Sequence, residues 1–170
     1  HIQKNVQTTL IPAGGAADLT VAEYAQIGSK FSPAMVTVTD TALAVSQASV
    51  APGVEVTATA GAGEDLTGLN LSRADHIDLQ SGSGADLTLA QAMKAVNGLY
   101  DLVDTNDVIK AAEANTESPE FAALDRATTV TGQEVMRLTV SEYEQIVDGD
   151  TTLISRYEIV DTAGNIPARI

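Results

Sequence analysis

Apolar and polar residues follow two different periodicities along this chain, and each periodicity lasts for only a short stretch. Val54 to Thr59 (VEVTAT) and Tyr157 to Asp161 alternate between apolar and polar positions, the pattern of a half-buried strand. Asn106 to Asn115 has helical spacing instead, and Ser118-Pro119 is a cap followed by proline at the first helical position, which predicts a helix over Phe121 to Arg126. The pattern therefore predicts an α/β fold of short strands and short helices.

Three stretches of the sequence resemble one another. They are LTVAEYAQI at 19–27, LTLAQAMKA at 87–95 and LTVSEYEQI at 138–146. Each is followed by an apolar run that ends in an Asp-Thr pair, at Asp40, Asp104 and Asp161 in turn. Asp and Thr at a strand end can accept hydrogen bonds from nearby backbone N–H groups and start a turn or a short helix. Self-similarity of this kind indicates a repeat architecture.

Each copy carries the signature of a helix N-terminus. A threonine stands three residues before a glutamate or glutamine, so that the two side chains can satisfy backbone N–H groups reciprocally in a capping box. A leucine precedes each threonine and can pack against the residue at the fourth helical position. The predicted caps are Thr20 with Glu23, Thr88 with Gln91, and Thr139 with Glu142.

A second feature recurs upstream of the caps: a short strand-like run, a loop with glycine, and then Leu-Thr. One unit therefore consists of a strand, a glycine loop, a capped helix, a strand and an Asp-Thr turn. We place the units at about 7–45, 54–80, 81–115 and 128–166, with the second degenerate and β-rich, and a helical insertion at 116–127. The three copies begin at 19, 87 and 138, so their spacing is uneven. We expect a solenoid-like repeat array over 1–170, with one compact α+β domain as the alternative.

Charge and composition narrow the function classes. Nine Lys and Arg against 23 Asp and Glu give a net charge of −14, which repels nucleic-acid phosphates and anionic lipids. There is no cysteine, so disulfides and thiolate chemistry are excluded. No apolar run approaches the ~20 residues that span a bilayer. Aromatics are only 4% of residues, so we expect a core of small aliphatic side chains and no enzyme-sized pocket.

Two stretches carry a family resemblance. IDLQSGSGADLTLAQAMKAV at 77–96 and YEIVDTAGNI at 157–166 resemble repeats of very large bacterial secreted adhesins, the haemagglutinin-like and RTX-type exoproteins. The resemblance implies a segment of a larger protein, located outside the cell or on the bacterial surface. It implies a structural or adhesive module whose partners are neighbouring repeats, and a cell-surface glycan or protein. It supplies no catalytic residue.

Calcium is the metal that this resemblance raises. The nonapeptide G-G-x-G-x-D-x-U-x binds calcium in such proteins, and here 61–65 and 82–86 match only its G-x-G-x-D part. The candidate ligands are Glu64, Asp65 and Asp86. In the alternative interpretation, which we favour, the glycines permit tight turns and the aspartates cap them. No cofactor is then required, and a calcium-stabilised module that binds a glycan or a partner is the second hypothesis.

A secreted carbohydrate-active enzyme is the third hypothesis. His76 lies between Asp75 and Asp78, with Ser72 and Ser81 nearby, but no nucleophile motif surrounds it. Carboxylate pairs suited to glycoside hydrolysis arise by chance among 23 acidic residues, and the candidates are Asp148 with Asp150, and Asp101, Asp104 and Asp107. Tyr24, Tyr100, Tyr143 and Tyr157 could form a sugar platform, although three of these four tyrosines lie at apolar positions of the repeats. We therefore expect no catalysis.

Overall fold

A computed structural model of the chain describes residues 15–80, 84–133, 136–147 and 157–162. Its strands are β1 (Ala17–Leu19), β2 (Val36–Thr41), β3 (Glu55–Ala60), β4 (His76–Leu79), β5 (Ala85–Leu87), β6 (Ala95–Val96), β7 (Tyr100–Asp104), β8 (Thr129–Gly132), β9 (Met136–Leu138) and β10 (Tyr157–Ile159). Its α-helices are α1 (Val21–Ile27), α2 (Ala42–Gln47), α3 (Leu89–Ala92), α4 (Asn106–Glu113), α5 (Pro119–Asp125) and α6 (Val140–Val147). The fold is therefore mixed α/β.

The strands form three sheets, and every strand pair among the described residues is parallel. The first sheet has the order β1-β2-β3-β4-β6, the second has the order β5-β7-β8, and the third pairs β9 with β10. Within each sheet, neighbouring strands follow one another in chain order. Parallel neighbours need a crossover between them, and the short helices and loops provide it.

The first sheet repeats at an almost constant interval. Ala17 pairs with Val36 and Thr57 with His76, 19 positions on in both cases. Thr37 pairs with Glu55, and Ile77 with Ala95, 18 positions on. The second sheet is less regular, because the connection from β7 to β8 is much longer than the one from β5 to β7. Helices α4 and α5 occupy the longer connection.

One apolar cluster lies behind the first two sheets. It is built from the alternate residues of the strands, so that Val36 and Val38 are buried on β2, and Ile77 and Leu79 on β4. Its other members are almost all Ala, Val, Leu and Ile, as the composition predicts, with Tyr100 as the exception at 2% exposure. Such small side chains allow thin layers to pack closely.

Most of the predicted elements are confirmed. The strands over 55–60, 76–79 and 157–159 and the helices after Thr20, Thr88, Thr105, Ser118 and Thr139 are present. The strand-like run at 8–11 lies outside the described residues. The sequence analysis missed the three-residue strands β1, β5 and β9, which stand directly before the capping threonines. Ala and Asp in the ADL sequences of β1 and β5 disfavour strands, so only the pairing with β2 and β7 reveals them.

Candidate functional site

The aspartate at the end of β2 closes the first unit. Asp40 Oδ2 accepts a hydrogen bond from the backbone N–H of Val21 at 3.0 Å, and its Oδ1 accepts one from Thr41 at 2.8 Å. Val21 is the first residue of α1, and its N–H has no partner inside the helix. One carboxylate therefore joins the start of the unit's helix to the start of the next turn.

The same pair of bonds recurs in the other two copies. Asp104 accepts from Leu89 at 2.9 Å and Thr105 at 2.7 Å, and Asp161 accepts from Val140 at 3.1 Å and Thr162 at 2.7 Å. In all three copies the aspartate stands two residues beyond the strand residue that pairs with the leucine before the cap. The sequence analysis predicted the short-range bond and missed the long-range one, because nothing local specifies a partner 15 to 21 residues away.

The predicted capping boxes are confirmed. Thr20 N–H donates to Glu23 Oε2 at 2.9 Å, and Glu23 N–H donates to Thr20 Oγ1 at 3.3 Å. Thr139 and Glu142 repeat the arrangement at 2.7 and 3.2 Å. The bonds from the backbone and hydroxyl of Thr20 lower the pKa of Glu23, and those from Thr139 lower the pKa of Glu142.

The second cap uses an amide for a physical reason. Gln91 Oε1 accepts from Thr88 N–H at 2.9 Å, while Gln91 Nε2 donates to the carbonyls of Leu66 and Leu69 at 2.7 and 3.1 Å. A glutamate could make the first bond but could not donate the other two, and it would bury a charge, since Gln91 is only 6% exposed. Gln91 thus ties α3 to the loop that follows β3.

Arg73 and Lys94 each donate hydrogen bonds to the backbone of a loop about one strand interval earlier in the chain, and we call these two side chains the clamps. Arg73 donates to the carbonyls of Ala51 and Val54 at 2.9 and 2.8 Å, and its Nε to Val50 at 3.5 Å. Lys94 Nζ donates to three carbonyls in the loop before β4, those of Leu71, Ser72 and Ala74, at 3.1, 2.9 and 2.7 Å. Arg73 and Lys94 therefore fix the backbone of these loops, and no sequence motif predicted this role.

The outward face of the first sheet is polar. Thr39 on β2 pairs with Thr57 on β3, and Thr41 pairs with Thr59, so hydroxyls lie in register on neighbouring strands. Acidic groups and one histidine surround them: Asp18, Glu55, Asp78 and His76. This face is open and carries a net negative charge at neutral pH.

The first calcium candidate forms a closed turn. Glu64 Oε2 accepts from Gly61 N–H at 2.9 Å, and Asp65 Oδ1 accepts from the N–H and hydroxyl of Thr67 at 2.9 and 2.7 Å. The hydroxyl and the N–H of Thr67 lower the pKa of Asp65. Gly63 has a φ of +69°, in the left-handed region that favours glycine. These bonds are those of a capped turn.

Asp86 lies in a column of acidic residues along the second sheet. Asp65 bridges to Asp86, and Asp86 pairs with Asp101, which accepts a 2.7 Å hydrogen bond from the Thr129 hydroxyl. Partial burial raises the pKa of Asp86, and the charges of Asp65 and Asp101 raise it further. Among the described residues, no group of three or more His, Asp or Glu side chains has an arrangement that could hold a metal ion.

The catalytic candidates do not come together around His76. His76 Nε2 lies 3.6 Å from a Glu55 carboxylate oxygen, Asp75 accepts from Val56 N–H at 2.8 Å, and the Ser72 hydroxyl donates to Asn70 at 2.8 Å. Ser81, Asp148 and Asp150 lie outside the described residues. Asp101 and Asp104 are bonded as described above, and Asp107 is exposed in the first turn of α4.

The three tyrosines whose side chains are described pack in or against the apolar cluster and do not form a platform. Tyr100 is buried and its hydroxyl donates to the Ala123 carbonyl, while Tyr24 and Tyr143 pack, partly buried, against the apolar cluster. The side chain of Tyr157 lies outside the described residues. An open cleft of about 350 Å³ is lined by residues of α3, α4 and α5 and of the loop between α4 and α5, and Glu120 is its one acidic side chain.

Within the described ranges, no helix combines the length and the apolar character needed to cross a membrane. No protein-family model, curated protein or solved structure matches the chain. What it does is therefore inferred from its own residues.

Proposed function

We propose that this chain is a structural and adhesive module of a large secreted or cell-surface bacterial protein, and that it works without catalysis. The observation that carries the proposal is the first sheet, in which β1, β2, β3, β4 and β6 pair in chain order at a nearly constant interval. Successive strands at a fixed interval are what a solenoid-like stack requires, and each such interval is called a coil below.

A stack of coils suits a spacer or an extended surface. Each coil contacts its neighbours, and the length of the array grows with the number of coils, which is how repeat proteins present long surfaces. The adjoining coils of the first sheet are held by Asp40, Arg73 and Lys94, all of which bond to backbone rather than to one another. The arrangement therefore depends on backbone geometry and can be continued by further coils.

The outward face of the first sheet is the candidate adhesive surface. Its threonine hydroxyls and the carboxylates of Asp18, Glu55 and Asp78 favour a partner rich in hydrogen-bond donors, such as a cell-surface glycan or a protein. The net charge of −14 disfavours nucleic acid and anionic membrane as partners.

A calcium-stabilised module is the second candidate. Its candidate ligands are Glu64, Asp65 and Asp86, and it rests on the partial match to the calcium-binding nonapeptide, because the described residues bring no three such side chains into an arrangement that could hold a metal ion. Comparing melting in calcium with melting in chelator separates this candidate from a metal-free module.

Replacement of the segment in its parent protein tests the main proposal. In the cells that make it, an antibody against the chain should label the intact surface, and in-frame deletion of the chain should reduce adhesion. Replacing it with a semi-rigid helical spacer of similar length separates the two roles: restored adhesion indicates a spacer, and lost adhesion indicates a binding surface. An antibody signal confined to permeabilised cells would refute the proposal.

A further inference from the structure

Several side-chain hydrogen bonds in the first sheet span about one strand interval, so they join adjacent coils. Asp40 to Val21 and Asp75 to Val56 each span 19 residues, and so does Asn97 to Asp78. Arg73 reaches back 19 to 23 residues, and Lys94 reaches back 20 to 23. Each coil is thus attached mainly to the coil before it.

Nearest-neighbour attachment makes stability a sum of local terms. In such a quasi-one-dimensional array, the end coil can detach while the next one keeps its own contacts. A globular domain behaves differently, because its core residues come from distant parts of the chain and are lost together.

The direction of the hydrogen bonds determines what tension does. Ladder bonds between parallel strands run from one strand to the next, which is along the stack. A force applied through the two chain termini pulls the outermost strand away from its neighbour, so the ladder bonds of an end coil break before those of the coils inside the stack.

We propose that the chain is an extensible element that lengthens under tension by releasing its coils one after another and rewinds when the tension falls. This rests on the proposed function, since a spacer between a cell and a surface is the part that bears the load. Extension by steps would keep the attachment intact while the cell is pulled.

The size of a step follows from the strand interval. A coil of about 19 residues, fully extended at ~3.3–3.6 Å per residue, spans roughly 63–68 Å. In the stack it contributes one strand separation of ~4.8 Å. Each released coil of the first sheet should therefore add about 60 Å.

Optical tweezers on the full chain, held by handles at both ends, test this. We expect extension steps of about 60 Å at constant force, with hopping between neighbouring levels as the end coil rewinds. One rupture that releases the described residues together, without intermediate levels, would overturn the proposal.

Clamp variants link the steps to particular coils. Arg73→Met and Lys94→Met keep an apolar stem but remove the donors, so each should shorten the lifetime of one level, on the order of tenfold, and leave the others unchanged. Lys30→Met, at an exposed lysine, is the matched control. Equal shortening of all levels by either clamp variant would show that the coils are not separately held.

The two proposals fail in different ways. A single all-or-none rupture refutes stepwise extension but leaves a stiff spacer on the cell surface. An intracellular location refutes the spacer role but does not alter the force steps.

Arg73→Lys, which keeps one cation at the clamp, should restore part of the lifetime, and this distinguishes a lost clamp from a misfolded chain.

Discussion

Asp104 gives the sharpest test of how a unit is closed. Its carboxylate accepts two backbone hydrogen bonds, from Leu89 at 2.9 Å and from Thr105 at 2.7 Å. Leu89 is only 5% exposed, so water has limited access to its N–H once the carboxylate is removed. Asp104→Ala therefore removes the acceptor of two backbone N–H groups, one at the start of α3 and one at the start of α4.

The magnitude follows from the type of bond. Hydrogen bonds to charged groups contribute about 1.5–3 kcal/mol each, and the exposed side of Thr105 can be hydrated, so we expect Asp104→Ala to lower the free energy of unfolding by about 2–4 kcal/mol. Asp104→Asn keeps one acceptor but turns an amide N–H toward the second donor, and should lose about half as much.

Urea denaturation followed by circular dichroism measures these losses, and hydrogen exchange locates them. Exchange should accelerate at the amides of Leu89 and Thr105, with α6 unaffected. Asp125→Asn, at an exposed aspartate that ends α5, is the control and should change stability by less than about 0.5 kcal/mol. If Asp104→Ala is no more destabilising than that control, the strand-end aspartate does not close the unit.

Three further outcomes are expected. Thr20→Ala, Thr88→Ala and Thr139→Ala should each cost about 1 kcal/mol of unfolding free energy in urea denaturation, and no effect at all three would remove the basis of the repeat alignment. Since the folded-state pKa of Asp86 is raised, its contribution to stability is full below its unfolded pKa and is lost as pH rises through the folded one. Asp86→Asn should therefore raise the melting temperature at neutral pH and lose this advantage in acid, whereas a lower melting temperature at neutral pH would contradict the assigned cost of burying the Asp86 charge beside Asp65 and Asp101. Calcium and chelator at matched ionic strength should give the same melting temperature, and a calcium-specific rise would favour the metal-dependent module.

The sequence predicted the local structure well, because that structure depends on neighbouring residues. Thr20 and Glu23 are three positions apart, and Ser118-Pro119 specifies its own helix start, so both could be identified without the fold. Alternation in VEVTAT likewise fixes which side of β3 is buried.

The strand interval of the first sheet could not be predicted from the repeated motif. Motif copies begin at Leu19, Leu87 and Leu138, yet the strands of the first sheet also come from segments that lack the motif, such as Glu55–Ala60. The length of a coil is set by the pairing of its strand with the next strand, and different loops, helices or turns can form the connection between the two strands. The roles of Arg73 and Lys94, and the bonds from Gln91 to the loop after β3, were missed for the same reason, because hydrogen bonds to backbone carbonyls in a distant loop leave no trace in a sequence.

The unequal connections of the second sheet have a consequence for how such a chain changes over generations. The link from β5 to β7 is short and the link from β7 to β8 is long, yet both pairs are parallel and in register, so the extra α4–α5 segment is tolerated between them. In the proposed stack, duplicating the codons of a single coil would add one more strand to the first sheet in register with its neighbours. The gene could thus change the reach of its product by recombination alone, one small in-frame step at a time.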